Sequence, residues 1–306
     1  MLVPPYKARY ISIIFMAYKH NNSLPEPSFV YSKKNSKLAL YRFPYKSSIR
    51  PPVIMTHGTF SNASICQELA KYLSKKGFDC WIYEWSGHGQ SEFGDLTPDA
   101  EDYALCDVPS VLKAVRSETK QKTCIWVAHS GGGFLLLMYM ARDDDRQKEI
   151  QAFVALGSQT TGAGKTFFQK ISIILVMIIM RLFGQLPGPL LGLGPENERM
   201  GFMQQWCKWN WTGKWLGKDK FDYLEALKKI NIPTLCIAGG GDMLAPPNGC
   251  YDLFTALGSI NKEFIVCSKK NGFAEDYDHP RLMASQNSQN EIWPVILNFI
   301  RSNLSS

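Results

Sequence analysis

Short apolar runs alternate along this chain with longer stretches in which apolar residues recur every three or four positions. The rhythm holds from about residue 37 to the C-terminus with one interruption. The runs Leu38 to Phe43, Val53 to Thr56, Phe78 to Tyr83, Thr123 to Ala128, Ala152 to Leu156, Thr234 to Ala238 and Phe264 to Cys267 are strand-length and bounded by turn-forming residues, so they predict strands. Between them, Ile65, Leu69, Tyr72 and Leu73 predict a helix that Asn62 or Ser64 caps and Gly77 stops. Further helices are expected from about Ala100 to Arg116 despite Pro109, after Ser130 to about Ala141, around Phe221 to Ile230, around Tyr251 to Leu257, and from about Glu291 to Asn303. Strands alternating with helices build βαβ units, so the fold class expected is α/β, a mostly parallel sheet flanked by helices.

The interruption lies between roughly residues 160 and 220. It holds the ten-residue apolar run Ile171 to Met180, the turn-rich Gly184-Gln185-Leu186-Pro187-Gly188-Pro189, and four of the eight tryptophans, at 206, 209, 211 and 215. These features predict a helical cap inserted into an α/β core, with the core in residues 1–159 and 221–306 and the cap in 160–220. Ten apolar residues are too few to span a bilayer. The tryptophans read as cap core or as the lining of an acyl pocket.

Composition changes little in this picture. The chain is 45% hydrophobic and 20% charged, with a net charge of +7 spread over scattered lysine doublets. Without a basic block, nucleic acid is not an expected partner, while peripheral contact of the apolar cap with an anionic membrane surface is consistent with the charge. The eight cysteines form no C-x-x-C pair and no metal-ligand spacing; Cys80, Cys124, Cys236 and Cys267 sit inside strand-like runs, as reduced thiols used as small hydrophobes do. A reducing, cytoplasmic compartment is the expectation. Tyr10 to Tyr18 follows Lys7 and Arg9 as a signal sequence would, but no small-x-small cleavage site comes after it, so a packed or peripheral segment is expected there. Oligomeric state leaves no mark on the sequence.

The candidate chemistry centres on Val127-Ala128-His129-Ser130-Gly131-Gly132-Gly133, where a strand runs into a serine followed by glycines and a helix. The pattern G-x-S-x-G marks a tight strand-to-helix turn that lifts a serine hydroxyl out of a sheet, and here only its first glycine is replaced, by Ala128. A serine hydroxyl needs a base, a carboxylate to orient that base, and donors for the oxyanion. Of five histidines, His20 lies in the N-terminal segment, His57 and His88 precede glycines in sharp loops, and His129 adjoins the serine and is expected to point away. That leaves His279, in a loop shortly after the strand ending at Cys267, as the base. Asp242, directly after the strand Thr234 to Ala238, is the orienting acid; Asp278 is next to His279 and poorly placed to face it. Backbone amides of Gly131 and of Thr59, with Phe60 as second choice, are the oxyanion donors. Gly162-Ala163-Gly164-Lys165-Thr166 lacks the first glycine of a P-loop, having Gln159 in its place, so nucleotide binding is not expected.

Taken in chain order, the His57-Gly58 loop, the turn Ser86-Gly87-His88-Gly89-Gln90-Ser91, Ser130, Gly241-Asp242 and Asp278-His279 resemble the α/β-hydrolase superfamily over roughly residues 37 to 303. The insert, through Leu186-Pro187-Gly188, Leu191 to Pro195 and Gln205 to Trp209, resembles the cap of a group of serine hydrolases. The resemblance implies a capped esterase- or lipase-like serine hydrolase that needs no metal and no organic cofactor. Its substrate would be a small-molecule ester or acyl compound with a hydrophobic acyl group. Two other expectations stay open: an acyltransferase or thioesterase on the same residues, and a silent ligand-binding protein of this fold.

Overall fold

The computed structural model describes residues 23–45, 49–94 and 98–304. In chain order the main strands are β1 (Ser28–Tyr31), β2 (Lys37–Phe43), β3 (Val53–Thr56), β4 (Cys80–Tyr83), β5 (Cys124–His129) and β6 (Ile150–Leu156). A two-stranded ribbon follows, β7 (Gln185–Leu186) and β8 (Glu198–Arg199), and then β9 (Thr234–Gly239) and β10 (Lys262–Cys267). Eight of them form one sheet in the order β1-β2-β4-β3-β5-β6-β9-β10. Only β1 and β2 run antiparallel to their neighbours; the other pairings are parallel. This is the mostly parallel α/β sheet expected.

Alternate residues of the central strands feed two cores, one on each face, because successive side chains of a strand point to opposite sides. Ile54, Trp126 and Ala128 join one cluster, whereas Val53, Met55, Ile125 and Val127 join the other. The first face is covered by α2 (Val108–Thr119) and α3 (Gly131–Ala141), the second by α1 (Gln67–Lys75) and the closing α7 (Gln286–Ser302). Remaining helices of note are α4 (Phe167–Phe183), α5 (Met200–Thr212) and α6 (Pro247–Ala256). Pro109 stands in the first turn of α2, just after the helical backbone widens into a π turn at Tyr103–Asp107, the kind of local irregularity that accommodates a proline inside a helix.

Several expectations need correction. The helix at Phe221 to Ile230 is two short turns, Tyr223–Ala226 and Leu227–Lys229. Strands β1, β7 and β8 had no signal, since β1 is a largely exposed edge and the ribbon is two residues a side. Asn62, not Ser64, caps the turn before α1, accepting from Ser64 N at 3.2 Å. The segment Tyr10 to Tyr18 and His20 lie outside the described residues.

The apolar run Ile171 to Met180 is the middle of a 17-residue helix, α4. Phe167, Phe168, Leu182 and Phe183 carry it outward, a Thr166–Gln169 capping box starts it, and Gly184 at φ 70° ends it. Ile173 and Met180 point inward, but Phe167, Phe168, Leu175, Ile178, Leu182 and Phe183 are exposed. Among the described residues no helix is long and apolar enough to cross a membrane. Farther along the segment, Trp209 and Trp215 are buried against each other and against Phe134 of α3, so these two tryptophans fasten the segment to the face that carries the candidate serine.

All eight cysteines are free and seven are buried. Burial pushes the Cys236 thiol up to about 12, so it stays an un-ionised hydrophobe at neutral pH.

Candidate active site

Ser130 stands between the last residue of β5 and the first of α3 with φ 53° and ψ −122°, a left-handed conformation a side-chain-bearing residue rarely adopts. The strain is held from both sides. The Ser130 N–H donates to Leu156 O of the neighbouring strand at 2.7 Å, and its carbonyl accepts from Ser158 Oγ at 2.7 Å. Close packing explains the small residues around it. A Cβ on Gly132 would lie 2.5 Å from Thr56 Cγ2 and 3.3 Å from the Ala128 methyl, so the one alanine in the motif fits because glycine remains at 132.

Asp242 and His279 lie on the loops after β9 and β10, at the same edge. His279 Nδ1 and Asp242 Oδ2 are 2.7 Å apart, with the Asp242 side chain fully buried and that of His279 12% exposed. A carboxylate can only accept here, so Nδ1 donates to it and Nε2 is the nitrogen left for another partner. The other Asp242 oxygen accepts the amides of Leu244 at 2.9 Å and Ala245 at 2.8 Å, which fixes the carboxylate. Asp278 instead accepts from Arg281 N at 3.2 Å.

Two neighbours hold His279 at the sheet edge where β5 ends in Ser130. Gly157, directly after β6 at φ 60°, passes so close that a Cβ would sit 3.2 Å from the imidazole and 3.3 Å from Asp242 Oδ2. His129 packs its ring 4.6 Å from that of His279 and donates from Nε2 to the His279 carbonyl at 2.9 Å. Burial, with His279 adding to it, lowers the His129 pKa to about 3, so this ring is neutral and serves as a brace. Between Ser130 Oγ and His279 no hydrogen bond is formed; such bonds commonly tighten only around a bound substrate.

The loop after β3 closes the other side. Gly58 abuts Ser130 so tightly that a Cβ there would lie 2.4 Å from the serine Cβ. His57, buried and held neutral by desolvation, accepts from Trp85 N at 3.2 Å and donates to its neighbour Gly58 O at 2.8 Å. Thr59 follows, half-buried, and Gly131 opens α3 directly after Ser130. Phe60 is a correction: its N–H is already donated to Glu198 Oε1 at 2.8 Å and is not free for an oxyanion. The turn at Ser86 is anchored by Asp107, which takes both the Ser86 amide and hydroxyl and whose pKa burial raises to about 7. Among the described residues no group of three or more metal-ligating side chains comes together.

A hydrolase family model, described as serine aminopeptidase, S33, matches residues 47–270, a span that contains the serine, the acid and the loop of Thr59. The chain belongs to this family. Its α/β-hydrolase relatives include human lipase member K, 25% identical over 177 residues, and the gastric triacylglycerol lipase of Mus musculus, 26% identical over 169. These alignments cover 51% and 48% of the chain and 44% and 43% of the relatives, so the chain spans less than half the length of either. Among solved structures, a soluble variant of the Saccharomyces cerevisiae monoglyceride lipase overlays with a TM-score of 0.71 at 16% identity, covering 94% of this chain and 99% of that one. The mouse α/β hydrolase domain-containing protein 10 overlays at 0.62 and 19% identity, covering 91% and 99%. The fold of this α/β hydrolase is thus that of esterase- and lipase-type proteins.

Sequence reasoning missed three residues in this site. Gly157 had a signal, being a glycine directly after a strand at the serine's edge. His129 was set aside as pointing away from the serine, without the partner it finds in the His279 backbone. Glu198 had none, because Pro195-Glu196-Asn197-Glu198-Arg199 reads as surface.

Proposed function

We propose that this chain is a serine hydrolase of carboxylic esters, acting through an acyl-enzyme on Ser130. The observation that carries the reading is the 2.7 Å His279–Asp242 bond at the sheet edge that also carries the strained Ser130, because it engages Nδ1 and leaves Nε2 as the nitrogen that can act as base. His279 Nε2 takes the hydroxyl proton as Oγ bonds to the acyl carbon. The oxyanion is held by the amides of Thr59 and Gly131, and collapse breaks the ester C–O bond while His279 returns the proton to the leaving alcohol. Water, deprotonated by the same nitrogen, then releases the acid and regenerates Ser130. The folded protein is expected to react with a fluorophosphonate probe, and Ser130→Ala is expected to lose labelling together with at least ~10⁴-fold in turnover. Unlabelled wild-type protein would leave only the silent ligand-binding reading. Faster turnover of thioesters, or acyl transfer to an added alcohol outpacing hydrolysis, would favour the thioesterase or acyltransferase reading.

The segment from 160 to 220 acts in this proposal as a cap that meets a lipid surface. Helix α4 is apolar nearly all round, and an apolar face left in the open marks a contact surface. At 17 residues it is ~25 Å long, shorter than the ~30 Å hydrocarbon core, so it would lie along the interface. The segment holds eight basic against three acidic residues, +5 of the chain's +7, with Arg181, Lys208 and Lys214 exposed. Co-flotation with vesicles containing phosphatidylserine is therefore expected for the wild type and is expected to weaken at least ~10-fold for Phe167→Ser/Phe168→Ser, with hydrolysis of a short soluble ester unaffected. Equal flotation of both proteins would remove the lipid-surface role.

A further inference from the structure

Phe60 adopts φ 61°, the left-handed region, although it is bulky and has none of glycine's freedom. Such a conformation persists only where the surroundings over-determine it. Here they come from the segment between β6 and β9. The Phe60 N–H donates to Glu198 Oε1 at 2.8 Å, and the Phe60 carbonyl accepts from Glu196 N at 3.1 Å, so both polar groups of one peptide residue are held from the same distant stretch. The two chains touch closely: a Cβ on Gly194 would lie 2.1 Å from the Phe60 carbonyl oxygen, and one on Gly188 2.9 Å from the phenyl ring. Asn62 Nδ2 adds a bond to Glu196 Oε1 at 2.7 Å.

Glu198 is unusual for a carboxylate. Its side chain is fully buried, as is that of His88, whose Nε2 meets the same Oε1 at 3.1 Å. The second oxygen, Oε2, has no hydrogen-bond partner. The other His88 nitrogen faces Ser86 O at 3.3 Å, so both ring nitrogens meet oxygen acceptors. Burying a charged pair costs several kcal/mol per ion before its attraction is counted, so stability alone is a poor reason for one here. What the pair does do is fix the acceptor that holds Phe60, one residue beyond Thr59 and two beyond the Gly58 that abuts Ser130.

We propose that Glu198 is a positioning residue for turnover: it holds the strained Phe60 backbone, thereby setting the adjoining Thr59 amide against Ser130, so that hydrolysis requires the 186–199 stretch to be seated on the core. This rests on the ester-hydrolase reading above. A misplaced oxyanion donor lowers the rate of the chemical step and spares binding of the acyl chain.

The test compares wild type, Glu198→Leu and Glu198→Gln on a short soluble ester, with fluorophosphonate labelling rates in parallel. Glu198→Leu removes the acceptor; it is expected to lower kcat and the labelling rate by ~10- to 100-fold while KM stays within about twofold. Glu198→Gln keeps a carbonyl oxygen for the Phe60 N–H and is expected to recover kcat to within about threefold of wild type, since the acceptor rather than the charge is what matters. Should Glu198→Leu fail to fold, the double variant His88→Leu/Glu198→Leu, which removes both ends of the buried pair, takes its place with the same thresholds. A leucine variant that retains kcat, a glutamine variant as slow as the leucine one, or a loss confined to KM would each overturn the proposal. Failure of the parent reading looks different: the wild-type protein itself would then not label.

Discussion

His279 and Asp242 are fixed by their own surroundings at the sheet edge: Asp242 by two amides of its own loop, His279 by Asp242, by His129 at the end of β5 and by the bare backbone of Gly157 at the end of β6. The Thr59 loop begins equally regularly, at the end of β3, but its far end is fastened by Glu196 and Glu198, the latter 138 residues on. The two halves of the site therefore answer to different parts of the molecule. On the proposed mechanism the base half rests on the ends of β5, β6 and β9, whereas the oxyanion half also calls for the stretch around Glu198 to be laid over Phe60.

Gly157 offers the largest break in the base half. Gly157→Ala places a methyl 3.2 Å from the His279 ring at φ 60°, where alanine is strained. We expect kcat for a soluble ester to fall by ~100-fold through displaced imidazole geometry, with a stability loss of ~1–2 kcal/mol in urea titration. A variant that keeps full activity would show that the base half tolerates movement.

His129 gives a smaller, finer test. Its pKa is lowered to about 3 by burial, against ~6.5 in an unfolded chain. The unfolded state therefore takes up the proton first as pH falls. Stability associated with neutral His129 is full above pH ~6.5 and is lost between there and pH ~3, at up to ~1.4 kcal/mol per pH unit. His129→Gln keeps an N–H for the His279 carbonyl and removes the titration. Its stability should thus decline less steeply than that of wild type between pH 6.5 and 5, by ~2 kcal/mol over the interval. Parallel acid limbs would exclude His129 as a contributor.

What could be read from the sequence follows the same division. Ser130, Asp242 and the His57-Gly58 loop follow closely on apolar runs and His279 lies in the loop after another, and a parallel sheet gathers the ends of such runs at one edge, so local pattern is enough to bring them together. Nothing local marked Glu198. It opens a two-residue strand in a polar stretch, and it is buried where residues 188 to 198 fold against Phe60 and His88. For the same reason Phe60 looked like a spare oxyanion donor. The exposure of α4 was equally invisible, since a run of isoleucines and leucines has the same composition whether it is packed away or left outside.

The contact between positions 60 and 198 also orders events in time. Strands β3 to β6, and with them Ser130, leave the ribosome before Glu198 is made. At ~5–20 residues per second, the 138 positions between Phe60 and Glu198 amount to roughly 7–28 s of synthesis. Asp242 and His279 come later still. An incomplete nascent chain would thus carry its serine without reacting, and the appearance of probe-reactive protein in a translation reaction would mark the finished molecule rather than the first folded strands.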